Sequence, residues 1–155
     1  MAKTKIIETP QGMIVKSKNG MNCRLKWNEG FKDKWKGKIN SAQKYVDSSC
    51  IRLMDRYTPM LSGMLVKSAT LGTKIGEGEI HQIAPYAKFQ YYGKLMVSST
   101  TGSPWSKGEK KVLTDRDLNY TKAMHPLAGP FWFERMKADH LNEILKGAQR
   151  YAERG

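Results

Sequence analysis

Carboxylates are scarce in this chain: 14 Asp and Glu stand against 27 Lys and Arg, giving a formal net charge of +13 over 155 residues. So uneven a balance surrounds a small protein with a positive field and points to an anionic neighbour. Nucleic acid, an acidic protein surface and a membrane surface all fit that description, and a charge that merely keeps the protein soluble fits it too. Cysteine is nearly absent. Cys23 and Cys50 lie far apart at no metal or redox spacing, which excludes a disulfide-stapled scaffold and predicts two ordinary thiols in a reducing compartment. No apolar run approaches the ~20 residues that span a bilayer, and Met1–Ile7 lacks the apolar segment of a signal peptide. A soluble protein made in the cytoplasm, with no membrane partner, is the expectation.

The usual marks of catalysis are missing as well. There are three histidines, His81, His125 and His140, and none has a partner at a motif spacing, so structural roles are expected of them. Ser62-Gly63 lacks the flanking glycine of a nucleophile elbow. Gly76-Glu77-Gly78 lacks the rest of a dinucleotide fingerprint, and no Gly-Lys-Ser/Thr phosphate loop occurs. The few carboxylates mostly adjoin Lys or Arg, as Asp33 does between Lys32 and Lys34 and as in Asp115-Arg116-Asp117, a pattern that reads as solvated ion pairs. These absences predict no catalytic residue, no cofactor and no metal. A small hydrolase would instead need a pocket holding shifted ionisable groups.

What is present suffices for one core. Hydrophobic residues make up 39% of the chain and include four Trp, enough to bury a single domain over 1–155. Residues 1–27 read as short strands, with Ile6-Ile7 before a Pro10-Gln11-Gly12 turn, Met13–Val15 after it, and Cys23–Trp27 beyond Asn19-Gly20. From Asn28, a plausible N-cap, the period changes. Phe31, Trp35, Ile39, Ala42, Val46, Cys50, Leu53 and Tyr57 recur every three or four residues, predicting a helix over 28–57 that Thr58-Pro59 must stop. Such a helix is about 45 Å long at 1.5 Å per residue.

Residues 64–97 read as a sheet: β-like runs Met64–Leu71 and Glu79–Ile83 joined as a hairpin by glycines, a short helical turn Tyr86–Tyr92 ending at Gly93, and a strand Leu95–Val97. Residues 98–116 have loop composition and are expected to be mobile. Pro130 opens a second helix over 130–154, with Phe133, Met136, Leu141, Ile144, Ala148 and Tyr151 as its apolar stripe. The fold class is therefore α+β, a long helix in the N-terminal half and a C-terminal helix packed on a small, mostly antiparallel sheet.

Two groups of residues stand out as contact candidates. Lys32 and Lys36 flank one side of the Phe31/Trp35/Ile39 stripe and Lys34 and Lys38 the other, each pair being like charges at i,i+4 that a polyanion would relieve. Trp27 and Trp35 could stack on bases, and they fit the core equally well. No reading element accompanies the charge, so contact with DNA or an acidic partner would be made without sequence readout. In the loop, Trp105 is an isolated aromatic beside Lys107, Lys110 and Lys111. It suits either an interface anchor or a side chain folded back over the sheet.

From Val46 onward the chain resembles a known family. The run Val46–Leu65, with its Pro59-x-x-Ser62-Gly63-x-Leu65 core followed by Ser68, resembles the helix end and turn of minor capsid proteins from phages and prophages of Gram-positive bacteria. Pro85-Tyr86-Ala87-Lys88-Phe89-Gln90-Tyr91-Tyr92-Gly93-Lys94 is similar to that family's second signature. Leu118-Asn119-Tyr120 and His125–Arg135 are similar to its C-terminal portion, while residues before 28 add little. Ser62 departs from the threonine or similar residue that often precedes the glycine, and Met60 and Met64 are permissive substitutions.

The resemblance implies a structural virion protein of the head–tail connector, a neck or tail-completion component assembled in the host cytoplasm. It implies self-association into a ring around the DNA passage, with portal-adaptor, neck or tail-terminator proteins as neighbours. Pro59, Gly63, Leu65, Tyr86, Tyr92 and Gly93 would then specify shape. A non-sequence-specific DNA-binding protein, free in the cytoplasm, is the alternative that shares the charge.

Overall fold

The computed structural model describes residues 30–105 and 107–154, with Lys32 as backbone only, and the backbone of 13–18 and 21–26. The expected strand at Ile6-Ile7, the turns at Pro10–Gly12 and Asn19-Gly20, Trp27 and the proposed cap Asn28 lie outside the described residues. The architecture is α+β. Strands β1 (Met13–Lys18) and β2 (Met21–Lys26) pair antiparallel, Met13 opposite Lys26 and Lys18 opposite Met21. Helix α1 (Phe31–Met54) follows and ends in a 3-10 turn, Asp55–Tyr57. Then come α2 (Met64–Gly72), α3 (Ala87–Tyr92), a second antiparallel pair β3 (Lys94–Ser98) and β4 (Lys111–Asp117), and α4 (Trp132–Arg154).

The frame is an antiparallel hairpin of α1 and α4, the most extensive helix contact in the molecule. Tyr57 at the end of α1 meets Asp139 near the start of α4 at 2.6 Å, Arg52 meets Glu143 at 3.3 Å, and Lys38 reaches the Glu153 carbonyl at 3.3 Å. Small residues bring the helices close: a Cβ added at Gly147 would collide with the Tyr45 ring, which stacks on Tyr151 at 4.7 Å between centroids. The core gathers at one end of this hairpin. Leu53 and Met54 of α1, Tyr57 of the 3-10 turn, Leu65 and Ala69 of α2, Ala87 of α3, and Trp132 and Met136 of α4 belong to one buried cluster.

Helix α1 starts with Gly30 in the left-handed conformation at φ 82°, and the Lys34 N–H bonds back to the Gly30 carbonyl at 3.0 Å. It stops where the sequence requires. Pre-proline Thr58 is extended at ψ 131°, and both its backbone N–H, at 3.0 Å, and its hydroxyl, at 2.9 Å, donate to the Met54 carbonyl, tying the corner to the last turn of the helix.

Three expectations need correction. Met64–Leu71 is helix, not strand: Gly63 caps it at φ 77°, and Leu65, Ser68 and Ala69 are buried at helical spacing. The segment is rich in Met, Leu, Lys and Ala, good helix formers that outweigh its single internal Val66. Without that strand there is no hairpin with Glu79–Ile83, which is not part of a strand. It is held instead by Thr73, whose hydroxyl accepts the His81 N–H at 3.0 Å.

The predicted loop 98–116 ends early, because Lys111–Asp117 is β4, paired with β3 through Ser98 opposite Lys111 and Lys94 opposite Asp117. Val112 and Leu113 are both exposed, so the alternation that marks a half-buried strand is missing. Helix α4 begins at Trp132 rather than Pro130, since Phe131 holds a positive φ of 50° and accepts the Arg135 N–H as the helix opens. Within its predicted stripe Met136 and Ile144 are buried and Phe133 and Ala148 half-buried, while Leu141 and Tyr151 are exposed.

Candidate functional site

The three motif regions, scattered in sequence, meet at one junction. Pro59 follows the 3-10 turn, and the corner beside it is clamped from the far end of the chain. His125 Nδ1 lies 2.8 Å from the Thr58 carbonyl, and the Gly129 N–H donates to the Tyr57 carbonyl at 3.3 Å. Helix α3 is clamped by the same segment: the Phe131 N–H donates to the Tyr91 carbonyl at 2.9 Å, and the Tyr120 hydroxyl donates to the Gln90 carbonyl. Burial, with Asp117 nearby, pushes the Tyr120 phenol up to about 12. Gly93 ends α3 at φ 73°, where a Cβ would lie 3.1 Å from Pro130 and 3.2 Å from the Tyr120 hydroxyl. Only glycine fits that conformation and that space together.

Tyr91 is the hub of an aromatic cluster. Its ring meets Trp132 edge-on at 4.8 Å, Tyr92 at 5.5 Å and Phe131 at 5.6 Å, and its hydroxyl bonds Glu134. Tyr57 is similarly fixed: Arg135 lies over its ring at 5.5 Å, and the Asp139 bond raises its phenol pKa, with burial adding to the effect. Of the predicted motif residues, Leu65 enters the core, Pro59 and Gly63 shape the 58–64 turn, and Tyr86 and Tyr92 stand at the surface.

The same junction presents a groove of about 390 Å³ between Pro59–Leu65, Tyr86, Gln90 and Asn119–Thr121. Leu61 stands at its rim 91% exposed, with Met64 also exposed. A second groove of about 400 Å³ is lined by Phe89, Met96, Pro104, Lys111 and Leu118 among others. Trp105, next to it in sequence, is 88% exposed and does not fold back over the sheet. The loop carrying it is internally bonded. The Ser98 hydroxyl takes the Thr100 and Thr101 N–H groups at 3.1 Å each and bonds Glu109, while Lys111 Nζ donates to the Pro104 carbonyl at 2.9 Å. Lys107 and Lys110 are exposed beside it, and Lys111 is half-buried.

A third cleft, about 390 Å³, runs between α1 and the glycine turn and holds Asp47 and Cys50. Its carboxylate is fully engaged: Asp47 accepts the Gly76 N–H at 2.7 Å, the Gly78 N–H at 3.2 Å and Gln43 Nε2 at 2.7 Å. Burial, and secondarily Asp47, pushes the Cys50 thiol up, away from the reactive thiolate. Asp47 thus pins the 76–78 turn to α1, a role the sequence reading missed by treating carboxylates as solvated. The glycines at Gly76 and Gly78 are the only signal that could have suggested a backbone-binding acid.

The histidines are dispersed: His81 faces Glu79 at 3.1 Å, and His140 faces Glu143 at 3.0 Å. Among the described residues no group of His, Cys, Asp or Glu could hold a metal ion, and no helix is long and apolar enough to cross a membrane.

Against known proteins, the family model described as "Minor capsid protein" matches residues 28–152. The chain belongs to this minor capsid protein family. Membership makes it a structural component of a phage virion, in contact with other virion proteins. The match begins at residue 28, ahead of Val46 where the resemblance read from sequence begins, and takes in nearly all of the helical hairpin, so the motif junction and the hairpin belong to one family unit. No curated protein and no solved structure matches the chain.

Lys34 and Lys36 are exposed on the first turns of α1 and Lys38 is half-buried at the hairpin seam, whereas the Lys32 side chain lies outside the described residues. The lysines and Trp105 stand in different places: the former on the open end of α1, the latter in the loop between β3 and β4.

Proposed function

We propose that this minor capsid protein is a head–tail connector component, a neck or tail-completion subunit that forms a ring around the DNA passage. The observation that carries the reading is the pair of exposed apolar anchors on loop tips, Trp105 and Leu61, each beside a groove, in a chain whose family is structural. Large aromatic and aliphatic side chains left in water at loop tips fit surfaces that a neighbouring subunit covers. Trp105 with Lys107, Lys110 and Lys111 is assigned to that neighbour, another copy or an adjoining neck, portal-adaptor or tail-terminator protein. Lys32, Lys34, Lys36 and Lys38 are assigned to DNA or an acidic partner. The role calls for shape and charge, and asks no catalysis, metal or cofactor of the chain.

Mass spectrometry and immunogold labelling of purified particles test the reading. The expected result is the chain in intact virions with gold at the head–tail junction, and full heads without joined tails when its gene is deleted. Absence from virions, or gold spread over the whole head, contradicts it.

A further inference from the structure

Helix packing brings together two basic rows that lie more than a hundred residues apart in sequence. On α1, Lys34 and Lys38 are one helical repeat apart, and Tyr45 and Arg52 continue the same line seven and fourteen residues past Lys38. On α4, Glu143, Arg150 and Arg154 form the corresponding line, with Lys146 beside it. Two contacts show how the lines face each other: Arg52 meets Glu143 at 3.3 Å, and Lys38 Nζ donates to the Glu153 carbonyl at 3.3 Å. Both lie along one edge of the antiparallel seam. Lys34, Lys38, Lys146, Arg150 and Arg154 therefore border that edge over the last turns of the hairpin. Lys36, about 200° around the helix from Lys34, belongs to the opposite flank.

None of the five forms a salt bridge among the described residues. Glu153, the acid set among them, is engaged by Gln149 at 2.9 Å. Like charges four apart on a helix repel, and here two such rows converge. At the same end of the hairpin Trp35 is stacked parallel to Phe31, with 6.1 Å between centroids, and is still 43% exposed. Clustered cations beside an exposed aromatic face match the two components of sequence-tolerant nucleic-acid binding, phosphate neutralisation and stacking. An acidic protein surface would meet the cations and leave the aromatic face unused.

We infer that this distal edge of the α1–α4 hairpin, Lys34 and Lys38 with Lys146, Arg150 and Arg154, is a sequence-independent binding site for the phosphodiester backbone of nucleic acid. The inference deepens the connector reading by naming the partner of that surface, and rests on it only for where the nucleic acid is met.

The test is fluorescence anisotropy of two labelled DNA duplexes of unrelated sequence, titrated with the purified full chain over a salt series. Equal affinity for both duplexes and a steep loss with salt are expected. K146E/R150E/R154E should weaken binding at least tenfold and flatten the logarithmic salt dependence by about 2 to 3, at roughly 0.9 per phosphate contact. K67E/K88E/K122E makes the same change in net charge on α2, α3 and the segment before α4, and should keep binding within about twofold of the wild-type chain. K146Q/R150Q/R154Q, checked for helicity by circular dichroism, should fall between the wild type and the reversal, which separates lost contacts from lost folding.

Equal weakening by both reversal sets would show diffuse attraction and overturn the site. No binding at low salt overturns it as well, and so does polyglutamate that displaces DNA as effectively as unlabelled duplex, because that outcome assigns the edge to acidic protein. Particle composition is read separately. A chain present in virions but without DNA affinity sinks this inference and spares the connector reading, while the reverse result does the opposite.

Discussion

Around Trp132 and Met136 the α1–α4 seam is closed on every side: α2, α3 and the 118–131 segment pack against it, and Met136 is fully buried. At the other end of the same two helices, Phe31 and Trp35 are partly in water and cations line the edge. The two ends share a fold element and a sequence period but differ in what the rest of the chain places on them. Every family signature lies at the closed end, where glycines and prolines have steric duties. The open end has charge without constraint. A helical stripe therefore signals burial only where a second element arrives to cover it.

The comparison breaks first on tryptophan. Trp132→Ala removes a buried indole from the aromatic hub and should cost about 3–5 kcal/mol, whereas Trp35→Ala should cost under about 1 kcal/mol. Urea denaturation of both variants measures this, and similar losses at the two sites would erase the distinction. Glycine gives the next effect, with opposite signs. Gly93→Ala forces a side chain into the left-handed region against Pro130 and should destabilise by about 1–2 kcal/mol. Gly37→Ala, in the interior of α1 with nothing within 4 Å of an added Cβ, should stabilise by about 0.5–1 kcal/mol. Thermal melts of the two variants should shift in opposite directions.

The smallest effect sits where the ends meet. The His140 hydrogen bond, and then Arg52, hold the Glu143 carboxyl below its ordinary value of 4.5. A depressed folded-state pKa contributes stability that is present above the unfolded value and lost as pH falls through the folded one. Glu143→Gln should therefore leave stability at pH 7 slightly lower, the difference from wild type shrinking as pH falls below 4.5. The pair is exposed and screened, so chemical denaturation at low salt is the measurement to use.

How much was legible in the sequence follows the same division. Helix α1 was readable because its three-to-four-residue period runs without interruption to Thr58-Pro59, and α3 because Gly93 marks its end. The α+β class was read from α1, the C-terminal helix and a series of consecutive strand-like runs, and it holds although two of those runs, Met64–Leu71 and Glu79–Ile83, are not strands. Helix α2 was misread because its nine residues fit a strand as easily as two helical turns, and only the left-handed Gly63 decides between them. Strand β4 was missed because Val112 and Leu113 both face water, leaving no alternation to detect. The lysine row on α1 was visible as a local i,i+4 pattern. Its partners Lys146, Arg150 and Arg154 were not, since only the antiparallel packing of helices distant in sequence sets them on the same edge. Asp47 escaped for a related reason: the backbone N–H groups it binds come from a turn 29 residues away.

The most direct test of the account is cryo-electron microscopy of intact particles at a resolution that separates α1 from α4. The prediction is a closed ring of this chain at the head–tail junction, with the motif junction packed between subunits and the Lys34, Lys38, Arg150 and Arg154 edge turned toward DNA density in the channel. A ring whose open hairpin ends point outward into solvent, with the motif junction lining the channel, would contradict it.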